Sequence, residues 1–316
     1  MRVISLRATA CAICGPGADT TELYPANFDL EAFNTSVFSA RRLPDGIRYR
    51  MVRCAGCGLV RSDPVADAAV LADLYTESTF DYDDEVDNLK ATYGRYLRLL
   101  ERHGVKKDAL LEIGCGNGFV LEEALAQGYR TVRGVEPSTA AVAKASPQVR
   151  PHLVCDIMRP GLFAPDQFDV VTFFQVFDHL PDPGAVLDEC LRVLKPGGRI
   201  LCLNHNIEAV SARLLRERSP IIDIEHTYLY TPKTLARLFV AHGFQVTQTV
   251  PVYNTYTTRY LAQLVPLPRK LKTRVLKRLG RAAIGRRQLS VPLGNLCLIA
   301  RKPPGSVHRI VEDDRD

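Results

Sequence analysis

The chain has 316 residues, 46% of them hydrophobic and 24% charged, with 41 Lys plus Arg against 35 Asp plus Glu for a formal net charge of +6. This is the composition of an ordinary globular protein and excludes collagen-like, mucin-like and wholly disordered chains. No apolar run approaches the roughly 18 residues that span a bilayer, and Met1 to Thr9 holds two arginines without an apolar core, so no secretory leader is expected and a reducing, cytoplasmic setting is the default.

The first 80 residues read as a small module of short strands and turns. Two Cys-x-x-Cys pairs mark it, Cys11-Ala-Ile-Cys14 and Cys54-Ala-Gly-Cys57, each followed by a glycine. Two thiolates on a tight turn can grip one tetrahedral ion, and two such knuckles supply four sulfurs. The 39 residues between the pairs close at little extra entropic cost. A closed, structural zinc site is expected. The alternatives are two disulfides, which fit poorly with a reducing compartment, or buried free thiols. Arg48 to Arg53 alternates as a strand entering the second knuckle, and 70–75 has helical spacing. Val86 to His103 places Leu89, Tyr93, Tyr96, Leu97 and Leu100 on one helical face.

From residue 108 strands and helices alternate. Strands are expected at 109–113, 129–135, 149–155, 168–174 and 198–203, with helices at 120–127, 138–145 and 183–194. This is the rhythm of a doubly wound parallel sheet. Thr231 then caps a helix with Pro232 at its first position, ending at Gly243. Strands at 244–252 and 293–300 close the pattern. The scattered Cys115, Cys155, Cys190, Cys202 and Cys297 read as small buried hydrophobes.

Glu112-Ile-Gly114-Cys-Gly116-Asn-Gly118 follows the first of these strands and opens a helix. Ligands of open parallel sheets bind beyond the carboxyl ends of the strands, and glycines let the backbone approach them closely. Phe119 stands where a dinucleotide fingerprint needs its third glycine. Glu136 and Asp156 end the next two strands. A carboxylate at the former position can accept both hydroxyls of a ribose, and one at the latter an adenine amine. The plainer alternative is that both cap the helices that follow.

The stretch from Leu110 to Leu203 resembles the class I S-adenosylmethionine-dependent methyltransferases. The resemblance rests on Leu111 to Gly118, Gly134-Val-Glu-Pro137, Phe168 to Pro183 and Leu191-Arg-Val-Leu-Lys-Pro-Gly-Gly-Arg-Ile200. It implies an α/β, Rossmann-like fold with a seven-stranded, mostly parallel sheet whose last strand is antiparallel. It also implies S-adenosylmethionine as cofactor, with Glu112 and the glycines Gly114, Gly116 and Gly118 around its methionine part. Glu136 would meet the ribose and Asp156 the adenine, while Gln175 to His179 would line the cofactor and acceptor pocket. Two zinc knuckles before such a domain further resemble the sugar C-methyltransferases that act on nucleotide-linked keto-sugars, here without that group's large C-terminal domain. The matching pieces are the Tyr-rich segment Leu74 to Tyr82 and Glu225-His226-Thr-Tyr228-Leu-Tyr230-Thr231-Pro232. By this resemblance Tyr82, Glu225 and His226 are acceptor-side catalytic candidates.

Methyl transfer needs an aligned acceptor and a base for its proton, and histidine suits that role. His226 leads, His179 is second, and His205 just past the fifth strand is third; a purely structural bond to a helix start is the alternative for His226, and a structural role at a helix start is the favoured reading of His179. The expected organisation is a zinc-ribbon-like module at 1–80 and a methyltransferase domain at 81–303, with a basic insertion at 257–292 and a polar, frayed tail at 304–316. The insertion holds ten basic residues and no acidic one between Thr257 and Gln288, leaving 31 basic against 35 acidic elsewhere. It could be a solvated helical lid, steer an anionic acceptor such as a nucleotide sugar, or rest on an anionic membrane through 269–287. The expected function is methylation of a small-molecule acceptor, first a sugar or nucleotide-linked sugar, in a biosynthetic pathway. The competing readings are a zinc-ribbon RNA methyltransferase and a non-enzymatic zinc scaffold. Nucleic acid is disfavoured, because the loop after the fourth strand lacks the Asn/Asp-Pro-Pro-aromatic run that grips a base.

Overall fold

A computed structural model describes residues 5–28, 46–77, 86–264 and 268–305. In chain order the first strands are β1 (Leu6–Arg7), β2 (Thr20–Tyr24), β3 (Met51–Cys54), β4 (Val60–Ser62) and β5 (Val65–Ala66). Two helices follow, α1 (Ala68–Thr76) and α2 (Val86–Leu99). Then come β6 (Ala109–Ile113), α3 (Phe119–Ala126), β7 (Thr131–Val135), α4 (Thr139–Ala143), β8 (Leu153–Val154) and β9 (Phe168–Phe174). The second half runs α5 (Pro183–Val193), β10 (Leu194–His205), α6 (Val210–Leu215), β11 (Tyr228–Leu229) and α7 (Pro232–Ala241). It closes with β12 (Gln245–Thr257), α8 (Thr258–Leu264), α9 (Arg269–Arg281) and β13 (Gln288–Arg301).

The main sheet has seven strands in the order β12-β13-β10-β9-β6-β7-β8. β6 to β10 pair in parallel, and β13 enters between β10 and β12 antiparallel to both. This is the Rossmann-like arrangement expected from the sequence. The central β9 is buried at all seven positions, which is why its sequence is apolar almost throughout rather than alternating. β8 is shorter than its apolar pattern, because residues 150–152 form a 3₁₀ turn around Pro151, which has no N–H for a ladder. Helix starts follow their caps: Asp182 accepts from the Ala185 N–H ahead of Pro183, and Thr231 and Thr234 cap each other ahead of Pro232.

Two apolar cores cover the sheet. On one face α5 and α7 set Leu187, Cys190, Leu235 and Phe239 against Phe168 and Phe177. On the other, α2 and α3 set Leu97, Phe119 and Leu121 against Leu110 and Val170.

The cysteine module is joined to this domain more closely than its place in the sequence suggests. Its sheet has the order β11-β4-β3-β2, so its edge strand comes from residues 228–229. Cys11 and Cys54 lie in the same core cluster as Phe177, Tyr228 and Tyr230. At the opposite edge of the main sheet, the last β10–β13 pair is His205 with Asn295, but β12 and β13 continue pairing to Thr257 with Gln288. At ~3.4 Å per residue this hairpin reaches roughly 20 Å past the end of β10, and it carries α8 and α9 on its tip. β12 runs parallel to β10, so the tip lies beyond the same carboxyl edge as the glycine loop. The tail is described only to residue 305. Among the described residues no helix is long and apolar enough to cross a membrane.

Candidate active site

The glycine loop follows β6. Gly114 has φ 71°, and a Cβ there would come within 2.4 Å of a Val176 methyl, so glycine lets the loop after β9 close over it. The Gly116 N–H donates to Glu136 Oε2 at 2.9 Å, and Ser138 N–H donates to Oε1 at 2.9 Å. Glu136 therefore ties the end of β7 to the loop. Burial raises its pKa, a rise these two main-chain bonds only partly offset. Glu112 is buried, and burial followed by the nearby Glu136 charge pushes its pKa well up. Gln175 adopts φ 60°, a left-handed conformation that side chains avoid.

These residues fit the cofactor that the resemblance implies. Three buried oxygens beside the loop have no hydrogen-bond partner among the described residues: Glu112 Oε2, Asn117 Oδ1 and Gln175 Oε1. Buried acceptors left unpaired are costly, and a ligand rich in donors and carrying a sulfonium and an ammonium group would satisfy them. Asp156 departs from the simplest expectation. Its carboxylate already takes the Ile157 N–H at 2.8 Å and an ion pair from Arg159 at 2.8 Å, which lowers its pKa. Ile157 beside it is 48% exposed, an apolar surface that a purine ring would cover.

A second cluster is organised by Asp178, which the sequence placed only within the run Gln175 to His179. Its carboxylate is fully buried and is met by three histidines. His205 Nδ1 lies 2.5 Å from Oδ2. His226 Nε2 is 3.7 Å from Oδ2 and His179 Nε2 is 3.7 Å from Oδ1. With its nitrogen turned toward Asp178, the Asn204 amide donates to both oxygens at 2.9 and 3.2 Å. Burial alone would raise the Asp178 pKa, but the surrounding imidazoles, His205 first and also through its hydrogen bond, outweigh it and hold the group below the usual carboxylate range.

The three histidines differ. Burial, reinforced by the other two rings, pulls His226 down to about 3, and its Nδ1–H donates to the Ile221 carbonyl at 2.9 Å. Burial also lowers His179, against the pull of Asp178. Its Nδ1 is 3.1 Å from the Tyr75 hydroxyl, and the Glu225 carbonyl lies beside the ring. The side chain of His205 is 22% exposed against 7% for His226.

The cluster is assembled from distant parts of the chain. Asp178 and His179 follow β9, Asn204 and His205 end β10, and His226 precedes β11. Ser62 of the cysteine module holds the last segment: its hydroxyl donates to the His226 carbonyl at 2.8 Å and its N–H to the Thr227 carbonyl at 2.9 Å. The Thr227 N–H in turn donates to the Asp178 carbonyl at 2.9 Å. Of the sequence candidates, His179, His205 and His226 come together here. Glu225 is half-buried, and its charge helps to raise the Tyr75 pKa, after burial as the larger cause. Tyr82 lies outside the described residues. The tyrosine brought to the cluster from the same Tyr-rich segment is Tyr75, near the end of α1.

The four cysteines also converge. The sulfurs of Cys11, Cys14, Cys54 and Cys57 all lie within 4.8 Å of one another, with Cys11 and Cys57 at 3.5 Å. Zinc–sulfur bonds of about 2.3 Å in a tetrahedron place sulfurs about 3.8 Å apart, so the donor set and spacing fit a closed zinc site.

A family model described as a methyltransferase domain matches residues 87–249, just over half of the chain. Among curated relatives, the chain is 34% identical over 123 residues to the ubiquinone biosynthesis O-methyltransferase of Pseudomonas fluorescens strain Pf-5, covering 34% of this chain and 50% of that protein. It is 28% identical over 180 residues to the protein of the same name from Pseudomonas entomophila, covering 51% and 75%. The chain spans about half the length of most of the curated relatives it matches. Among solved structures it is similar to a SAM-dependent methyltransferase from Aquifex aeolicus, with TM-score 0.45, 15% identity and 68% and 92% coverage of the two chains. It is also similar to the YcgJ protein from Bacillus subtilis, with TM-score 0.47, 19% identity and 67% and 99% coverage.

Proposed function

The chain belongs to the methyltransferase-domain family, and from that premise we propose that it transfers a methyl group from S-adenosylmethionine to a small-molecule acceptor. The observation that carries the reading is the juxtaposition of two features at one edge of the sheet. One is a glycine loop flanked by unpartnered buried oxygens; the other is a histidine cluster built on a buried carboxylate. The cofactor would be held by Glu112, Gly114, Gly116, Gly118, Glu136, Asp156 and Gln175, and it supplies an activated methyl group. The chain's own residues would align the acceptor with that methyl group and take up the acceptor's proton as the transfer proceeds.

Geometry favours His205 over His226 as the proton acceptor. Asp178 takes the Nδ1–H of His205, which leaves Nε2 as the basic nitrogen of a more exposed ring. His226 has its Nδ1 tied to a carbonyl and is held neutral by burial, so it and His179 shape the pocket with Glu225 and Tyr75. Tyr82 stays a candidate on resemblance alone. The four cysteines would hold a structural zinc ion, which suits a reducing, cytoplasmic setting.

For the acceptor we place a sugar or nucleotide-linked sugar first, supported by the Glu225-His226 pair and by a basic insertion beyond the same edge. A second reading is supported by the relatives named for ubiquinone biosynthesis and by the exposed Leu271 and Ile284 of the insertion. It is O-methylation of a phenolic, lipid-borne acceptor collected at an anionic membrane. Incubating the full chain with labelled S-adenosylmethionine and either nucleotide sugars or prenylated phenols in vesicles tests both. Methylation of neither, with no calorimetric binding of S-adenosylmethionine, would overturn the proposal.

A further inference from the structure

We propose that Asp178, His179 and His226 form a binding site for a divalent first-row transition-metal ion, separate from the four-cysteine cluster. One donor atom of each of the three residues lies within 4.8 Å of the others. The two imidazole Nε2 atoms stand 3.7 Å from opposite oxygens of the one carboxylate. That distance is too long for a hydrogen bond. Ligands bound at about 2.1 Å around one ion, at angles of 90–120°, are roughly 3.0–3.6 Å apart, so the 3.7 Å pairs need to close by a few tenths of an ångström, and a pair at the 4.8 Å limit by about 1.2 Å, to seat an ion between them.

The tautomer of His226 argues the same way. Its Nδ1 must carry the hydrogen that the Ile221 carbonyl accepts, so in the neutral ring Nε2 is a lone pair. The nearest carboxylate oxygen to that nitrogen, Asp178 Oδ2 at 3.7 Å, is also an acceptor. Were a proton shared between them, the pair would contract to about 2.8 Å; at 3.7 Å it has not. Two acceptors this close in a buried place are stabilised by a cation between them.

Each ligand is also fixed from behind, as metal ligands are. His226 is anchored by the Ile221 carbonyl and His179 by the Tyr75 hydroxyl at 3.1 Å. Asp178 is anchored by the Asn204 amide and by His205 Nδ1. Two imidazoles and one carboxylate leave coordination positions open and suit Mn(II), Fe(II), Co(II), Ni(II) or Zn(II). A part for the ion in drawing an acceptor oxygen toward His205 rests on the methyl-transfer reading above; the binding itself does not.

Cobalt(II) titration of the metal-stripped full chain tests this, because the two sites differ in colour. Cobalt in the cysteine site shows intense thiolate-to-metal charge transfer, whereas a nitrogen–oxygen site shows only weak ligand-field bands. The wild type should take up two equivalents with both signatures. Asp178→Asn, His226→Gln and the more exposed His179→Gln should each lose the weak bands and one equivalent, with the thiolate bands kept as the sign of an intact fold. One equivalent in the wild type, with thiolate bands alone, would overturn the site. So would two equivalents retained in all three variants. Failure of S-adenosylmethionine binding with the second cobalt still bound would leave this site standing and remove the methyl-transfer reading instead.

Discussion

At the scale of single residues, the site is ordered by how far burial moves each titratable group. His205 keeps one face open while Asp178 holds its other nitrogen at 2.5 Å. His205→Gln should lower kcat by about 10²–10⁴, the usual worth of a positioned base, while calorimetry finds cofactor binding unchanged. An unaltered kcat would return the role to His226. Glu136 gives a pH dependence of definite sign. Its pKa in the free protein is raised, first by burial, and only the ionised carboxylate has acceptors enough to take both ribose hydroxyls beside its two main-chain N–H bonds. Cofactor binding should therefore be strongest above that raised value and weaken on acidification through it, by at most about tenfold per pH unit. Glu136→Gln should bind weakly at every pH; titrations across the acid range read both. The site candidates legible in the sequence are those set by local pattern: the glycines, the acids at strand ends and the Cys-x-x-Cys pairs. Asp178 was legible only as part of the pocket-lining run Gln175 to His179, because its burial depends on three chain segments that meet only in the fold. Tyr75 was hidden for a similar reason. Nothing in the spacing of the Tyr-rich segment says which tyrosine the end of α1 carries to His179.

At the scale of elements, the strands and helices of the main sheet were legible because each has its own periodicity and caps. β9, α5 and α7 lie within a residue or two of their sequence bounds. β11 was not legible. It is two residues long, and its pairing of Tyr228 with Arg61 spans most of the chain. That pairing gives the cysteine module a function that a detached zinc ribbon would lack, since Ser62 holds the main chain at His226 and Thr227. Loss of the ion should release this segment. Cys54→Ser should lower the melting temperature and abolish methyl transfer. Binding of S-adenosylmethionine should persist, because the glycine loop and Glu136 belong to other elements. Equal loss of both activities would mean that the module supports the whole fold, and retention of both would detach it from the site.

At the scale of the molecule, the net charge of +6 resolves into a mildly acidic body and one cationic tip. The β12–β13 hairpin carries that tip past the carboxyl edge of the sheet, the edge where both the glycine loop and the histidine cluster lie. On α9, Leu271 is 47% exposed beside Lys270, Lys272 and Arg274, and Ile284 beyond it is 58% exposed. A tip that only guides an anionic acceptor through solution needs the charges and not the apolar residues. One that rests on a membrane needs both, since apolar burial and attraction to anionic lipid add. Replacing Lys270, Lys272, Arg274 and Lys277 with glutamine should therefore weaken either activity. Leu271→Ser with Ile284→Ser should leave turnover of a soluble nucleotide sugar unchanged but release the protein from phosphatidylserine vesicles. Vesicle co-sedimentation at rising salt distinguishes the two. Binding lost in the charge variant but kept in the apolar one would make the tip an electrostatic guide. Binding lost in both would favour the membrane, and with it a lipid-borne acceptor for the pocket beneath.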